Sequence, residues 1–272
     1  MKPRIAIPLP HGGDREYAER AIPQYERAVE LSGGEPVRVP LDVPPAEVMK
    51  MIERCDGVLL PGSKADVDPA KFGAVRHPKT EAADPRRDTV DELLLQDAYN
   101  MRKPVLGICY GLQILNVYRS GTLVQHIDSP VNHEAGRNVP LAHAVRIEAA
   151  SKLAEILALG AFGKNTDSTH AEGDADNPEA LAAEGRLVIP ANSSHHQSAD
   201  LVGDGLKIVA RCPEDGIVEA VEGISPEHFV LAVQWHPERS FEEDERSRKI
   251  FRALVEAASE KHKELVGEFE AM

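Results

Sequence analysis

Three side chains in this sequence have the chemistry of a nucleophile, a base and a carboxylate that orients the base: Cys109, His236 and Glu238. Cys109 lies in PVLGICYGLQILNVYRSG, residues 104–121, where Val105, Leu106 and Ile108 have strand character and Leu112, Ile114, Leu115 and Tyr118 recur at helical spacing. The cysteine therefore falls at a strand-to-helix turn. Gly107-x-Cys109-x-Gly111 has the form of a nucleophile elbow, in which glycines let backbone approach backbone and the side chain stands at the sheet edge below a helix N-terminus. Such a position is expected to lower the thiol pKa. His236 ends a second apolar run, Phe229 to Trp235, in Gln234-Trp235-His236-Pro237-Glu238. Pro237 biases His236 toward an extended backbone, on which residues two apart share a face. His236 could then take the thiol proton while Glu238 fixes its tautomer.

These residues need a scaffold, and 272 residues with 42% hydrophobic content suffice for a full core. The order of apolar segments is β-α-β-α-β: strand 4–9, helix 21–31 with Pro23 in its first turn, strand 37–41, helix 45–54 and strand 57–60. Alternation of this kind implies a parallel sheet covered by helices on both faces, with sites at the carboxyl ends of the strands. A core helix over 85–101, capped by Asp84 or by a Thr89–Glu92 box, leads to the strand of Cys109. Strand 186–191 delivers Asn192-Ser193-Ser194-His195-His196-Gln197. Segments 206–211 and 217–222 read as an antiparallel hairpin, and a Ser240–Glu243 capping box precedes a long final helix.

The net charge of -14 and the lack of a basic run exclude a phosphate-backbone binder, and no apolar stretch has membrane-spanning length. The N-terminus lacks the apolar length of a signal peptide, so a cytoplasmic protein is expected. Cys55, Cys109 and Cys212 are too widely spaced for a disulfide framework or a cysteine zinc site. Residues 160–185 are acidic and poor in large apolar side chains, which reads as an exposed excursion from a single domain spanning 1–272, and as a candidate lid. They match no calcium-loop template, and no metal is assigned.

GICYGLQ followed at this distance by QWHPE resembles the class I glutamine amidotransferase-like superfamily. Within it, LPGSKADVDPAKFG, DPRRD, GTLVQHI and NSSHHQS are similar to the γ-glutamyl-γ-aminobutyrate hydrolase family. The resemblance implies a flavodoxin-like three-layer α/β sandwich with a mostly parallel central sheet and a small antiparallel portion. It implies a γ-glutamyl thioester on Cys109, with His236 as base and then acid, oriented by Glu238. Amides of Tyr110 and of Gly62 or Ser63 would form the oxyanion hole. Gln113, His195, His196 and Gln197 are candidates for holding the glutamyl group, a structural role for His195 standing beside that one. Three positions depart from the family pattern: Tyr110 where Arg is common, Ser120 in place of the first glycine of a GG pair, and His126 where Asp is common.

The expected activity is hydrolysis of a small γ-glutamyl amide with no cofactor. The alternative is a glutaminase subunit passing ammonia to a synthetase partner, since the chain has no Walker-type loop of its own. A non-catalytic binding protein on the same fold is the third reading. Homo-oligomerisation is left open, because the apolar stripe of the final helix fits either its own sheet or a second copy.

Overall fold

The computed structural model describes residues 2–157 and 187–270, so the acidic stretch 160–185 lies outside the described residues. Among the described residues, five strands form the parallel centre of a nine-stranded sheet. They are β1 (Arg4–Pro8), β2 (Glu35–Val39), β3 (Gly57–Leu60), β4 (Val105–Ile108) and β11 (Val230–Val233), in spatial order β2-β1-β3-β4-β11. An antiparallel wing continues from β11 through β10 (Val218–Gly223), β9 (Leu206–Arg211), β6 (His143–Ile147) and β7 (Leu187–Ala191). A separate small antiparallel sheet pairs β5 (Leu123–Val124) with β8 (Ser198–Ala199).

Side chains alternate across the sheet as strand geometry requires. Ile5, Ile7, Leu59, Leu106 and Ile108 meet α1 (Arg15–Leu31), α5 (Lys152–Leu157) and the C-terminal helix Glu245–Glu270 through Ile22, Tyr25, Leu153, Phe251 and Leu254. Ala6, Val58, Leu60 and Val105 meet α2 (Pro45–Ile52), α3 (Pro85–Met101) and α4 (Tyr110–Tyr118) through Val48, Leu94, Leu95, Leu112 and Leu115. The result is a three-layer sandwich. No helix among the described residues is long and apolar enough to cross a membrane.

Two sequence expectations are corrected. Helix α1 begins at Arg15, not Ala21, with the Asp14 carboxylate accepting from Tyr17 N at 2.9 Å. Pro23 thus sits in the helix interior and removes one backbone bond at a cost of about 3 kcal/mol. Burial of Ala18, Ala21, Ile22, Tyr25 and Val29 outweighs that cost. The C-terminal helix begins at Glu245 without the Ser240–Glu243 box. Ser240 Oγ instead lies 2.9 Å from Ser247 Oγ, and Asp244 accepts from Arg246 N at 3.0 Å.

Asp84 caps α3, accepting from Arg86 and Arg87 amides. The next turn explains the DPRRD motif. Arg87 is fully buried, pairs with Asp91 through Nε at 2.8 Å, and donates to the carbonyls of Pro10 at 3.1 Å and Pro61 at 2.8 Å. It therefore ties the loops after β1 and β3 to α3. Truncation to alanine strands the Asp91 charge and two carbonyls, so Arg87→Ala is expected to destabilise by at least about 3 kcal/mol. A denaturant midpoint unchanged from wild type would contradict this role.

Candidate active site

Parallel register brings three strand ends together. Leu60 pairs with Gly107 and Ile108 with Val233, so the chain leaves β3, β4 and β11 at one edge carrying Gly62–Ser63, Cys109 and His236 respectively. Cys109 N donates to Val233 O at 2.8 Å. Cys109 has φ 53° and ψ -104°, a strained conformation for a residue with a side chain and the signature of a nucleophile elbow. The glycines on either side are steric necessities. A Cβ on Gly107 would come within 2.8 Å of the Gly111 backbone and 2.9 Å of Ala232 Cβ, and one on Gly111 would overlap the Leu60 carbonyl. A Cβ on Gly62 would lie 3.1 Å from His236 Cε1 and 3.7 Å from Cys109 Cβ, so both candidate residues lie close to that glycine.

His236 and Glu238 pair as expected, with Nδ1 to Oε1 at 2.8 Å and both side chains buried. The backbone that pairs them differs from the expectation: Pro237–Arg239 is a 3₁₀ turn, and His236 has φ -115° and ψ 81°. The turn, rather than alternation along a strand, folds the carboxylate back onto the imidazole. A carboxylate can only accept, so Nδ1 carries the proton and Nε2 is the basic lone pair. Nε2 has no hydrogen-bond partner among the described residues. Asn192 holds the backbone of His236 from both sides, accepting from its N at 2.9 Å and donating to its O at 2.9 Å. Sequence reasoning placed Asn192 in the polar run after β7 without this role; an amide side chain at a strand end, with one donor and one acceptor to give, was the available signal.

Burial shapes the protonation states. It pushes the Cys109 thiol up to about 12, with Arg239 and the Tyr110 amide opposing and Glu238 adding to the rise. This reverses the expectation of a lowered thiol pKa: loss of water outweighs the helix N-terminus. Burial also lowers His236 from its usual value, against the pull of Glu238. Glu238 stays below the usual carboxylate range: burial alone would raise it, and the charge and hydrogen bond of His236 prevail. The resting pair is thus a neutral thiol and a neutral imidazole.

A cavity of about 620 Å³ opens over Cys109 and His236 and is also lined by Ser63, Tyr110, Gln113, His195, His196, Gln197 and Arg239. Among the oxyanion candidates, the Gly62 amide is occupied, donating to Tyr25 Oη at 3.1 Å. The Ser63 amide has no such backbone partner among the described residues, and the Tyr110 amide faces the Cys109 sulfur. The Tyr110 side chain turns to the α3 layer: its hydroxyl donates to Asp88 at 2.6 Å, and the Arg87 guanidinium lies 5.0 Å from its ring. Tyr110 in place of Arg therefore offers the cavity a backbone amide.

The four substrate candidates are differently committed. Gln113 Nε2 donates to Gln197 O at 3.2 Å, and Gln197 Nε2 donates to Gln125 O at 3.0 Å, leaving Gln197 Oε1 without a partner. His196 lies 3.1 Å from Asp66 Oδ1. His195 donates from Nδ1 to Gln197 O at 2.9 Å, and its Nε2 lies 3.6 Å from Glu219 Oε1, so its ring lines the cavity while its polar atoms are turned elsewhere. The charged residues Arg20, Lys64, Glu81, Glu134 and Arg137, which sequence reasoning did not select, come from separate loops and helices to complete the wall. Ser120 takes φ 69°, the left-handed conformation that explains why glycine is favoured there.

The sequence pattern of the Peptidase C26 family matches residues 9–238. A Mycobacterium tuberculosis protein provisionally named a glutamine amidotransferase is 34% identical over 86% of this chain, which spans 66% of that relative, just under two thirds of its length. The γ-glutamyl-γ-aminobutyrate hydrolase PuuD of Escherichia coli is 30% identical over 86% of this chain and 84% of its own. The glutaminase domain of Trypanosoma brucei CTPS, with bound acivicin, superposes at a TM-score of 0.59 over 95% of this chain and 94% of that one, at 18% identity, and so shares the fold. By the match over residues 9–238 and the 30%-identical relative, the chain belongs to the peptidase C26 family, which is class I glutamine amidotransferase-like.

Proposed function

We propose that the protein hydrolyses γ-glutamyl amides through a γ-glutamyl thioester on Cys109. The observation that carries this reading is the meeting of a strained elbow thiol and a carboxylate-oriented imidazole in one cavity. His236 Nε2 takes the thiol proton as sulfur attacks the γ-carbonyl carbon, and the oxyanion settles on the Ser63 and Tyr110 amides. Collapse breaks the C–N bond, and the imidazolium passes its proton to the departing amine. Water then loses a proton to His236 and attacks the thioester, releasing glutamate and returning the proton to the thiol. The wall carries both signs of charge, as a glutamyl head with an ammonium and a carboxylate requires. Arg239, whose Nη1 is buried without a partner, is the group for that carboxylate.

The thiol stays protonated and the base must be neutral, so the sign of the pH dependence follows. kcat/KM should rise with pH through a single apparent pKa below 6.5 and then stay flat to about pH 9. Release of glutamate and amine from γ-glutamyl-γ-aminobutyrate, other γ-glutamyl amines and glutamine, measured across pH, tests both the reaction and this profile. Turnover of glutamine alone would favour a glutaminase working with a synthetase. A profile falling from pH 6 to 8 would contradict the neutral-base assignment.

A further inference from the structure

Behind the catalytic cavity, side chains from four different segments converge: the buried His133, His195 and Glu219 on β10, and the ring of His143 on β6, a half-buried residue whose side chain is 2% exposed. Their ligand atoms all lie within 4.8 Å of one another. Glu219 Oε1 is 3.4 Å from His133 Nδ1, 3.4 Å from His143 Nε2 and 3.6 Å from His195 Nε2. None of these atoms has a hydrogen-bond partner among the described residues.

The second nitrogen of each ring fixes its tautomer. His133 Nε2 contacts Asp215 Oδ2 at 2.8 Å, His143 Nδ1 contacts Ala144 O at 3.1 Å, and His195 Nδ1 contacts Gln197 O at 2.9 Å. Carboxylate and carbonyl oxygens only accept, so each of these nitrogens carries the hydrogen. In the neutral rings each opposite nitrogen is then a lone pair aimed at the Glu219 carboxylate. Lone pairs facing an anion in a dry site repel unless a cation lies between them. Metal-ligating histidines usually donate their far nitrogen to an oxygen acceptor, as these three do.

We propose that His133, His143, His195 and Glu219 bind a zinc ion in a closed tetrahedral site. Bonds of about 2.0–2.1 Å to nitrogen and oxygen give a tetrahedron with edges of about 3.3–3.4 Å, close to the three spacings around Glu219 Oε1. Imidazole-rich sets suit zinc among the abundant divalent ions, and four buried protein ligands leave no open position, which makes the site structural rather than catalytic. A surface pocket lined by residues 126–134 and His195 provides access. The ion joins the 129–136 loop, β6, β10 and the loop after β7, the same loop that supplies Asn192 to His236 and Gln197 to the cavity. It is thus placed to set the position of the catalytic base from a distance.

The test uses the full chain purified without a histidine tag, stripped with a chelator and given stoichiometric zinc or cobalt. About one metal per chain by elemental analysis, with the intense visible bands of tetrahedral cobalt and no thiolate charge-transfer band from neighbouring Cys212, is the expected result. Asp215→Asn, which removes the charge behind His133 while an amide oxygen can still accept from Ser129 and Ile217, should weaken affinity about 10–100-fold, and Glu219→Gln should abolish stoichiometric uptake. Wild-type protein that takes up neither ion, or a cobalt spectrum that is octahedral or thiolate-bearing, would overturn the site even if a variant fails to fold. Uptake undiminished in folded Glu219→Gln would do the same.

Discussion

Glu238→Gln is expected to cut kcat for γ-glutamyl amide hydrolysis about 10⁴-fold while KM changes little, by the logic of an orienting carboxylate in a catalytic triad. Glu238 Oε1 lies 2.8 Å from His236 Nδ1, and both groups are out of water. The glutamine amide can present its NH₂ to Nδ1, which moves the imidazole proton to Nε2 and removes the lone pair that must take the thiol proton. With Cys109 held near 12, no spontaneous thiolate fraction exists at neutral pH to compensate. A second readout separates this from simple distortion. Glu238 opposes the lowering of the His236 pKa by burial, so in the variant the acid limb of the remaining activity should move to still lower pH. Steady-state kinetics over pH 4–9 measures both effects. A variant with near-wild-type kcat would show that His236 needs no orienting carboxylate.

Gly111→Ala is expected to cost about 4 kcal/mol or more and to lower Tm by about 10 °C or more, since the added methyl meets backbone rather than a side chain that can turn away. Its Cβ would overlap the Leu60 carbonyl, and Leu60 lies in β3 at the centre of the sheet. Relief requires α4 to lift from the sheet, and α4 begins at the residue after Cys109. The elbow geometry and the fold are therefore lost together. Gly73→Ala is an instructive comparison: no atom lies within 4 Å of its added Cβ, and only the φ of 69° is strained. Thermal melts of the two variants should differ by several degrees, and equal melting temperatures would refute the close-packing argument.

The elbow, the His–Glu pair and most of the sheet were legible because their signals are local. Gly107-Ile108-Cys109 and His236-Pro237-Glu238 each span three residues, β3 and β4 are short apolar runs, and α3 opens on the Asp84-Pro85 cap. What was hidden depends on tertiary contact. Pro23 looked like a helix start, yet the buried face of α1 carries the helix past it on both sides. The thiol pKa followed from a helix N-terminus until burial was known. Arg87 belonged to a noticed motif, but its carbonyl partners lie in loops distant in sequence. His133, His143, His195 and Glu219 share no local spacing, so their convergence shows only once β6, β9 and β10 are paired.

The most direct test of the central claim is rapid-quench mass spectrometry of the protein mixed with γ-glutamyl-γ-aminobutyrate, with Cys109→Ala alongside. The expected result is amine release ahead of glutamate, a γ-glutamyl group carried on the peptide containing Cys109, and neither product from the variant. Glutamate release by Cys109→Ala at the wild-type rate would contradict it.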